Sequence, residues 1–237
     1  MKEFIGELLG TFILVLLGNG VVSACLLKKS KAENSGWIAI VLGWGIAVTV
    51  AVYISGFLSG AHLNPAVTIA VATLGNISWS LAATYILAQF IGAMLASVVL
   101  YLHYYPHWKV TEDSETILAC FATGPAIRHT WSNLFGEALG TAVLVITIMA
   151  ITPNNVAPGL GAIIVGFVIF AVGFSLGGTT GYAINPARDL GPRIIHAILP
   201  IPNKGKSDWS YAWIPVVGPI IGGVVGALIY NAVLTLL

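Results

Sequence analysis

The residues of this sequence best placed to do chemistry belong to one tripeptide, Asn-Pro-Ala, which occurs at 64–66 and again at 185–187. Asn is a preferred helix N-cap and Pro is favoured at the first helical position, so each copy predicts the start of a helix. If the two starts meet, their positive dipole ends and the amide donors of Asn64 and Asn185 face one another. That arrangement repels cations and orients a neutral oxygen, which interrupts a proton-conducting chain of waters. A single copy would be explained about as well by a buried turn, so the pairing is what gives the motif its weight.

The sequence gives little support for a catalytic, metal or cofactor site. No nucleophile with a base, metal-ligand cluster or cofactor motif is present, so the sequence predicts neither an enzyme nor a metal or cofactor site. Cys25 and Cys120 lie far apart and fit neither a disulfide framework nor a zinc site. The histidines without ligand spacing are His103, His107, His129 and His196.

Composition limits the class of protein. Of the 237 residues, 57% are hydrophobic and 8% are charged, against roughly 25% charged in a soluble domain. A mean hydropathy of +0.93 indicates a chain whose solvent is the lipid bilayer. The net charge of +1 leaves no basic stripe for nucleic acid. No small-residue cleavage site follows the first apolar stretch, so we interpret that stretch as a membrane span.

Apolar stretches of the length that a helix needs to cross a bilayer predict six spans. They fall near 4–27, 36–56, 79–102, 132–151, 158–176 and 211–235. Two further apolar segments, 59–74 and 177–199, are interrupted by Pro and Gly and are too short to cross. Irregular backbone at membrane depth must be buried in protein or line water, so both predict re-entrant half-helices beside a cavity. The polar stretches 28–35, 103–130 and 203–208 are expected to be loops.

An internal repeat organises these elements. Glu-Leu-Leu-Gly-Thr at 7–11 recurs as Glu-Ala-Leu-Gly-Thr at 137–141, and each copy precedes an Asn-Pro-Ala tripeptide. We expect a single channel domain, 1–237, built from repeat one at about 1–102 and repeat two at about 132–237, joined by the loop 103–131. An odd number of crossings in each repeat inverts the second one. The expected fold class is an all-α membrane protein with six transmembrane helices and two half-helices in an inverted repeat.

At this point the chain resembles the aquaporin superfamily, the major intrinsic proteins, over essentially its whole length. The similarity lies in Ser-Gly-Ala-His-Leu-Asn-Pro-Ala-Val-Thr at 59–68 and Gly-Tyr-Ala-Ile-Asn-Pro-Ala-Arg-Asp at 181–189. Asp189, Arg193 and the Pro215-Val216 pair are similar to the glycerol-conducting branch. The resemblance implies a passive channel for glycerol, water and other small uncharged solutes, with ions and protons excluded.

The resemblance also implies a selectivity filter of Trp44, Gly173, Tyr182 and Arg188. The two aromatic residues would offer an apolar corner to a carbon backbone, and the guanidinium would donate to successive hydroxyls. Gly173 would supply width, so a His at this position should stop glycerol and spare water. Tyr182 stands where many glycerol channels have Phe, and its hydroxyl either points into the lumen or lies against the wall.

The resemblance further implies that Glu7 and Glu137 brace the half-helix loops, with Gln89 similarly placed. A plain interhelical hydrogen bond is a nearly equal explanation for Gln89. His62 would contribute a backbone carbonyl to a ladder of acceptors along the lumen, while its side chain either joins in or only packs.

The alternatives are a water-selective aquaporin and, less favoured, a secondary active transporter, since inverted repeats build those as well. The family further implies a homotetramer, with lipid and small neutral solutes as its other partners, in a bacterial plasma membrane. It places both termini in the cytoplasm, whereas the lysines of the loops favour the opposite orientation by the positive-inside rule.

Overall fold

The computed structural model describes residues 1–236, and its regular structure is helical throughout that range. The helices are α1 (Lys2–Leu26), α2 (Gly36–Ser59), α3 (Pro65–Thr73), α4 (Trp79–His103), α5 (Tyr105–Val110), α6 (Ser114–Ala119), α7 (Thr130–Ile151), α8 (Leu160–Ser175), α9 (Pro186–Ile198) and α10 (Ile214–Thr235). A short 3₁₀ turn, Gly177–Thr179, follows α8.

Five of these helices, α1, α2, α4, α7 and α10, are long and apolar enough to cross a membrane. The predicted span 158–176 is shorter than expected, because α8 has 16 residues and a length of about 24 Å. Its N-cap, Gly159, has a φ of 85°, so the regular helix begins only after this left-handed residue. At its other end the chain turns into the 3₁₀ segment that starts at Gly177.

The two half-helices begin where the Asn-Pro pairs predicted. Asn64 and Asn185 have extended backbones, with φ of −158° and −156°, and the helices start at Pro65 and Pro186. With 9 and 13 residues, α3 and α9 extend about 14 and 20 Å, too short to cross the membrane. They contact each other, and each also packs on α4 and α10.

The same helix pairing occurs in both halves of the chain: α1 packs on α2 and α4, and α7 packs on α8 and α10. The α7–α10 crossing is close because of Gly222. A Cβ on this residue would lie 1.9 Å from the carbonyl oxygen of Ala138. A fifth long interface, between α2 and α8, joins the two halves.

The prediction of a loop over 103–130 needs correction, since α5 and α6 form within it. Asp113 caps α6 by accepting from the backbone N–H groups of Glu115 and Thr116. Trp108 and Phe121 are fully buried in a small core of their own. The segment also buries Cys120, which raises the pKa of its thiol to about 12, so this thiol stays protonated at neutral pH.

Candidate functional site

A cavity of about 370 Å³ runs between the two halves of the protein. At one end it is lined by Trp44 and Arg188, and at the other by Ile151 and Thr152. Aliphatic side chains form most of its wall. The polar groups along it come from the two half-helix starts and from the extended segments that precede them. The cavity therefore has the form of a narrow lumen with a polar line on an apolar wall.

The two Asn side chains bind across the boundary between the repeats. The amide nitrogen of Asn64 donates to the carbonyl of Ile184 at 2.7 Å, and that of Asn185 donates to the carbonyl of Leu63 at 2.8 Å. Each side-chain oxygen is occupied by the backbone N–H groups of its own half-helix. An amide carries two N–H groups, so one donor remains on each Asn, and both residues line the cavity.

The segments before the half-helices have an unusual backbone. Ala61 and Leu63 in the first segment, and Tyr182 and Ile184 in the second, have φ between 39° and 54°. Residues with side chains rarely adopt this left-handed region, and it persists only where the surroundings enforce it. Both segments line the cavity. Within the described chain, no donor binds the carbonyl oxygens of 60–62, which leaves them as acceptors.

Glu7, on α1, holds the backbone conformation of the first of these segments. One carboxylate oxygen accepts from the hydroxyl of Ser59 at 2.7 Å and the backbone N–H of His62 at 2.9 Å. The other accepts from the N–H of Leu63 and from the side chain of Gln89, both at 2.7 Å. Four donors stabilise the ionised form of this buried carboxylate. The carboxylate in turn holds the N–H groups of His62 and Leu63 away from the lumen.

Glu137 plays the equivalent part on α7. Its two oxygens accept from the N–H groups of Ala183 at 3.0 Å and Ile184 at 2.8 Å.

The hydrogen-bond network around Glu7 extends to the first half-helix. The Gln89 amide, which donates to Glu7, also donates to the hydroxyl of Thr68 at 3.0 Å. The ring nitrogen Nδ1 of His62 lies 3.2 Å from the same hydroxyl. The His62 side chain therefore takes part in the network.

Arg188 lines the cavity beside Trp44. Its guanidinium carbon is 4.2 Å from the ring centroid of Trp44, a cation–π contact. The side chain is 6% exposed, and it donates to no residue in the described range. A guanidinium has five N–H donors, so those that face the lumen are free to bind a solute oxygen.

Tyr182 also lines the cavity, and the position of its ring explains why residue 173 is a glycine. A Cβ on Gly173 would lie 2.9 Å from Cζ of Tyr182 and 2.8 Å from Cγ1 of Val41. The phenol ring thus occupies the space that the glycine leaves. Its hydroxyl is buried and has no hydrogen-bond partner in residues 1–236, so the oxygen lies against the wall rather than in the lumen.

Comparison with known proteins identifies the family. The sequence model described as "Major intrinsic protein" matches residues 1–230. The chain belongs to the major intrinsic protein family. Among similar relatives, a glycerol uptake facilitator protein of Streptococcus pneumoniae is 59% identical over 231 residues, which cover 98% of this chain and 99% of the relative.

Two further comparisons agree. Glycerol uptake facilitator protein 3 of Lactiplantibacillus plantarum is 56% identical over 229 residues, with 97% of this chain and 95% of the relative covered. The X-ray structure of the aquaglyceroporin from Plasmodium falciparum superposes with a TM-score of 0.87 at 32% identity, covering 98% of this chain and 96% of that one. The predicted family and fold class are confirmed, and the protein is a multi-pass membrane channel of this family.

In this major intrinsic protein, the predicted site residues other than Gly173 lie around one cavity, either in its lining or hydrogen-bonded to the segments that line it. Asn64, Asn185, Trp44, Tyr182 and Arg188 line the cavity. His62 lines it as well, while the braces stand one layer behind: Glu7, Glu137 and Gln89. Gly173 does not line the cavity and lies behind Tyr182, where a Cβ would contact that ring.

In the sequence, Asp189 and Arg193 indicate only a similarity to the glycerol-conducting branch, whereas in the structure they form a fully buried ion pair. Asp189 also accepts from the N–H and hydroxyl of Thr123, both at 2.7 Å. Arg193 donates to the carbonyls of Thr123 at 2.8 Å and Ser207 at 2.9 Å. The pair thus ties two loops to the half-helix that holds Arg188. Opposite charges four residues apart in one half-helix were the signal available in the sequence.

Replacement of Glu7 tests the bracing. In Glu7→Gln one carboxylate oxygen becomes an NH₂ group, which faces either the N–H of His62 or those of Leu63 and Gln89, so at least one buried N–H group loses its acceptor. An unsatisfied buried donor costs about 1–3 kcal/mol. We expect a lower unfolding temperature and lost water permeability, measured on the purified protein and in vesicles. Glu3→Gln, at a carboxylate that is 47% exposed, is the control. Equal behaviour of the two variants would contradict the brace.

Proposed function

We propose that the protein is a passive channel for glycerol, water and other small uncharged solutes, and that it excludes ions and protons. One observation carries the proposal. One cavity with a mostly apolar wall is lined by two Asn amides, each with a free donor, and by a guanidinium whose side-chain donors bind no described residue.

This lumen suits a polyol better than an ion. The carbon backbone of glycerol would face the aliphatic wall and the Trp44 ring, while its hydroxyls meet Arg188 and the Asn amides in turn. A cation would meet the positive guanidinium and then the positive ends of α3 and α9. Water held between Asn64 and Asn185 accepts from both, which prevents it from relaying a proton.

Coupled transport is disfavoured by the charges of the lumen. Secondary transporters place their coupling-ion site near the solute at the midplane. Among the described residues that line the cavity, none is Asp or Glu. The names of similar proteins, glycerol uptake facilitators and an aquaglyceroporin, support glycerol as the solute.

Stopped-flow light scattering on reconstituted vesicles tests the solute class. We expect fast entry of glycerol and water, with the charged ion glycerol 3-phosphate excluded. The panel should include urea, dihydroxyacetone and a protonated small acid, since these are also small and uncharged. Glycerol entry no faster than in empty vesicles, together with fast water flow, would favour a water-selective channel instead.

We further propose that four copies assemble side by side, each with its own pore, in a bacterial plasma membrane. Exposed apolar side chains such as Phe57, Phe135 and Phe167 give the bundle an outer surface that suits lipid or a neighbouring copy. Cross-linking in native membranes should yield species up to a tetramer and none larger. A monomer under the same mild conditions would contradict the assembly.

A further inference from the structure

Trp37 contacts Gly173 and Tyr182 from outside the cavity. It is the second residue of α2, is 40% exposed, and does not line the cavity. Its indole N–H donates to the carbonyl of Gly173 at 3.2 Å. That carbonyl belongs to the last turn of α8, where helix carbonyls lack intrahelical partners. The bond therefore joins the start of α2 to the end of α8.

The same side chain holds the Tyr182 ring by its edge. The two ring centroids are 5.7 Å apart with an interplanar angle of 81°, the edge-to-face geometry that aromatic pairs favour. A Cβ on Gly177 would lie 3.1 Å from Cζ2 of Trp37 and 2.5 Å from Cδ1 of Tyr182. The indole and the phenol thus fill the space above one glycine together.

No hydrogen bond fixes the phenol ring of Tyr182, because its buried hydroxyl has no partner within the described chain. The ring position therefore depends on packing against Trp37 and on the space that Gly173 and Gly177 leave for it. Tyr182 lines the cavity. A residue that holds its ring on the side away from the lumen therefore also limits the width of the lumen beside Tyr182.

We propose that Trp37 is a positioning residue that sets the size limit of the channel by clamping the Tyr182 ring against α8. The inference rests on the proposed glycerol channel. Removing the indole opens space behind the ring, and packed neighbours move into such space. The ring then recedes from the lumen, so solutes larger than glycerol enter more easily.

The test compares Trp37→Leu and Trp37→Phe with wild type in vesicles, measuring water, glycerol and the four-carbon polyol erythritol. We expect the erythritol-to-glycerol permeability ratio to rise roughly threefold or more in Trp37→Leu, the scale of one lost aromatic pair. Trp37→Phe keeps a ring edge and should restore most of the original ratio. Trp37→Met is the substitute if the leucine variant conducts no water and is therefore misfolded.

Trp131→Leu is the matched control, because Trp131 is likewise the second residue of a spanning helix and is 73% exposed. It should leave the ratio unchanged. An unchanged or lower ratio in the leucine and methionine variants of Trp37, with wild type conducting glycerol, would overturn the clamp and leave Trp37 as an interfacial anchor. Wild type that conducts water but no glycerol would instead refute the proposed function.

Discussion

Gly173→Ala is expected to lower glycerol permeability by about tenfold or more, with a much smaller loss of water permeability. The new methyl group would lie within 2.9 Å of Val41 and of the Tyr182 ring. Overpacking of this kind costs about 1–3 kcal/mol unless a side chain moves. The ring has the open lumen on its other side, so the expected response is that it shifts there and narrows the path.

The ratio of glycerol to water permeability in one vesicle preparation is the measurement, because it cancels the amount of protein. Tyr182→Leu in the Gly173→Ala background should recover glycerol flow, since the two changes act on one contact and are not additive. Gly178→Ala is the control, because a Cβ there meets nothing within 4 Å. A ratio unaffected by Gly173→Ala would show that this contact does not set the width.

Arg193→Ala is expected to destabilise the protein by about 3–5 kcal/mol, the usual effect of leaving a buried charge unpaired. Asp189 would keep its bonds to Thr123 but lose its countercharge, and the carbonyls of Thr123 and Ser207 would lose their donor. Because α9 holds Arg188, selectivity should fail together with stability.

Thermal unfolding in detergent measures this effect. Arg128→Ala is the matched control, since Arg128 also pairs with an aspartate, Asp208, but with its side chain 54% exposed. Exposed pairs contribute only about 0–1 kcal/mol. Similar unfolding temperatures for the two variants would contradict the structural role of the buried pair.

Local signals explain why much of the fold could be predicted. Asn caps and Pro at the first helical position act over a few residues, so the starts at Pro65 and Pro186 were visible in the sequence. Hydropathy located the spans because each long helix must present apolar side chains over the thickness of the same hydrocarbon core. In contrast, α5 and α6 have six residues each and depend on tertiary burial of Trp108, which local polarity does not show.

The site likewise has a part that the sequence predicted and a part that it did not. The family motif located Arg188 and the two Asn residues, but it could not show how the surrounding layer is arranged. The left-handed backbone at Leu63 and Ile184 depends on carboxylates that approach from α1 and α7. The placement of the Tyr182 hydroxyl depends on the glycine behind it. These contacts join residues far apart in the sequence, and a pattern within one segment carries no record of them.

Glycerol flux across reconstituted vesicles, measured with and without an imposed proton or sodium gradient, tests passive conduction most directly. We expect the initial rate to rise in proportion to the glycerol gradient, to vanish when the two sides are equal, and to be unchanged by either ion gradient. A pH-sensitive dye inside the vesicles should report no proton entry above that of empty vesicles. Accumulation of glycerol against its own gradient, driven by either ion, would contradict the account.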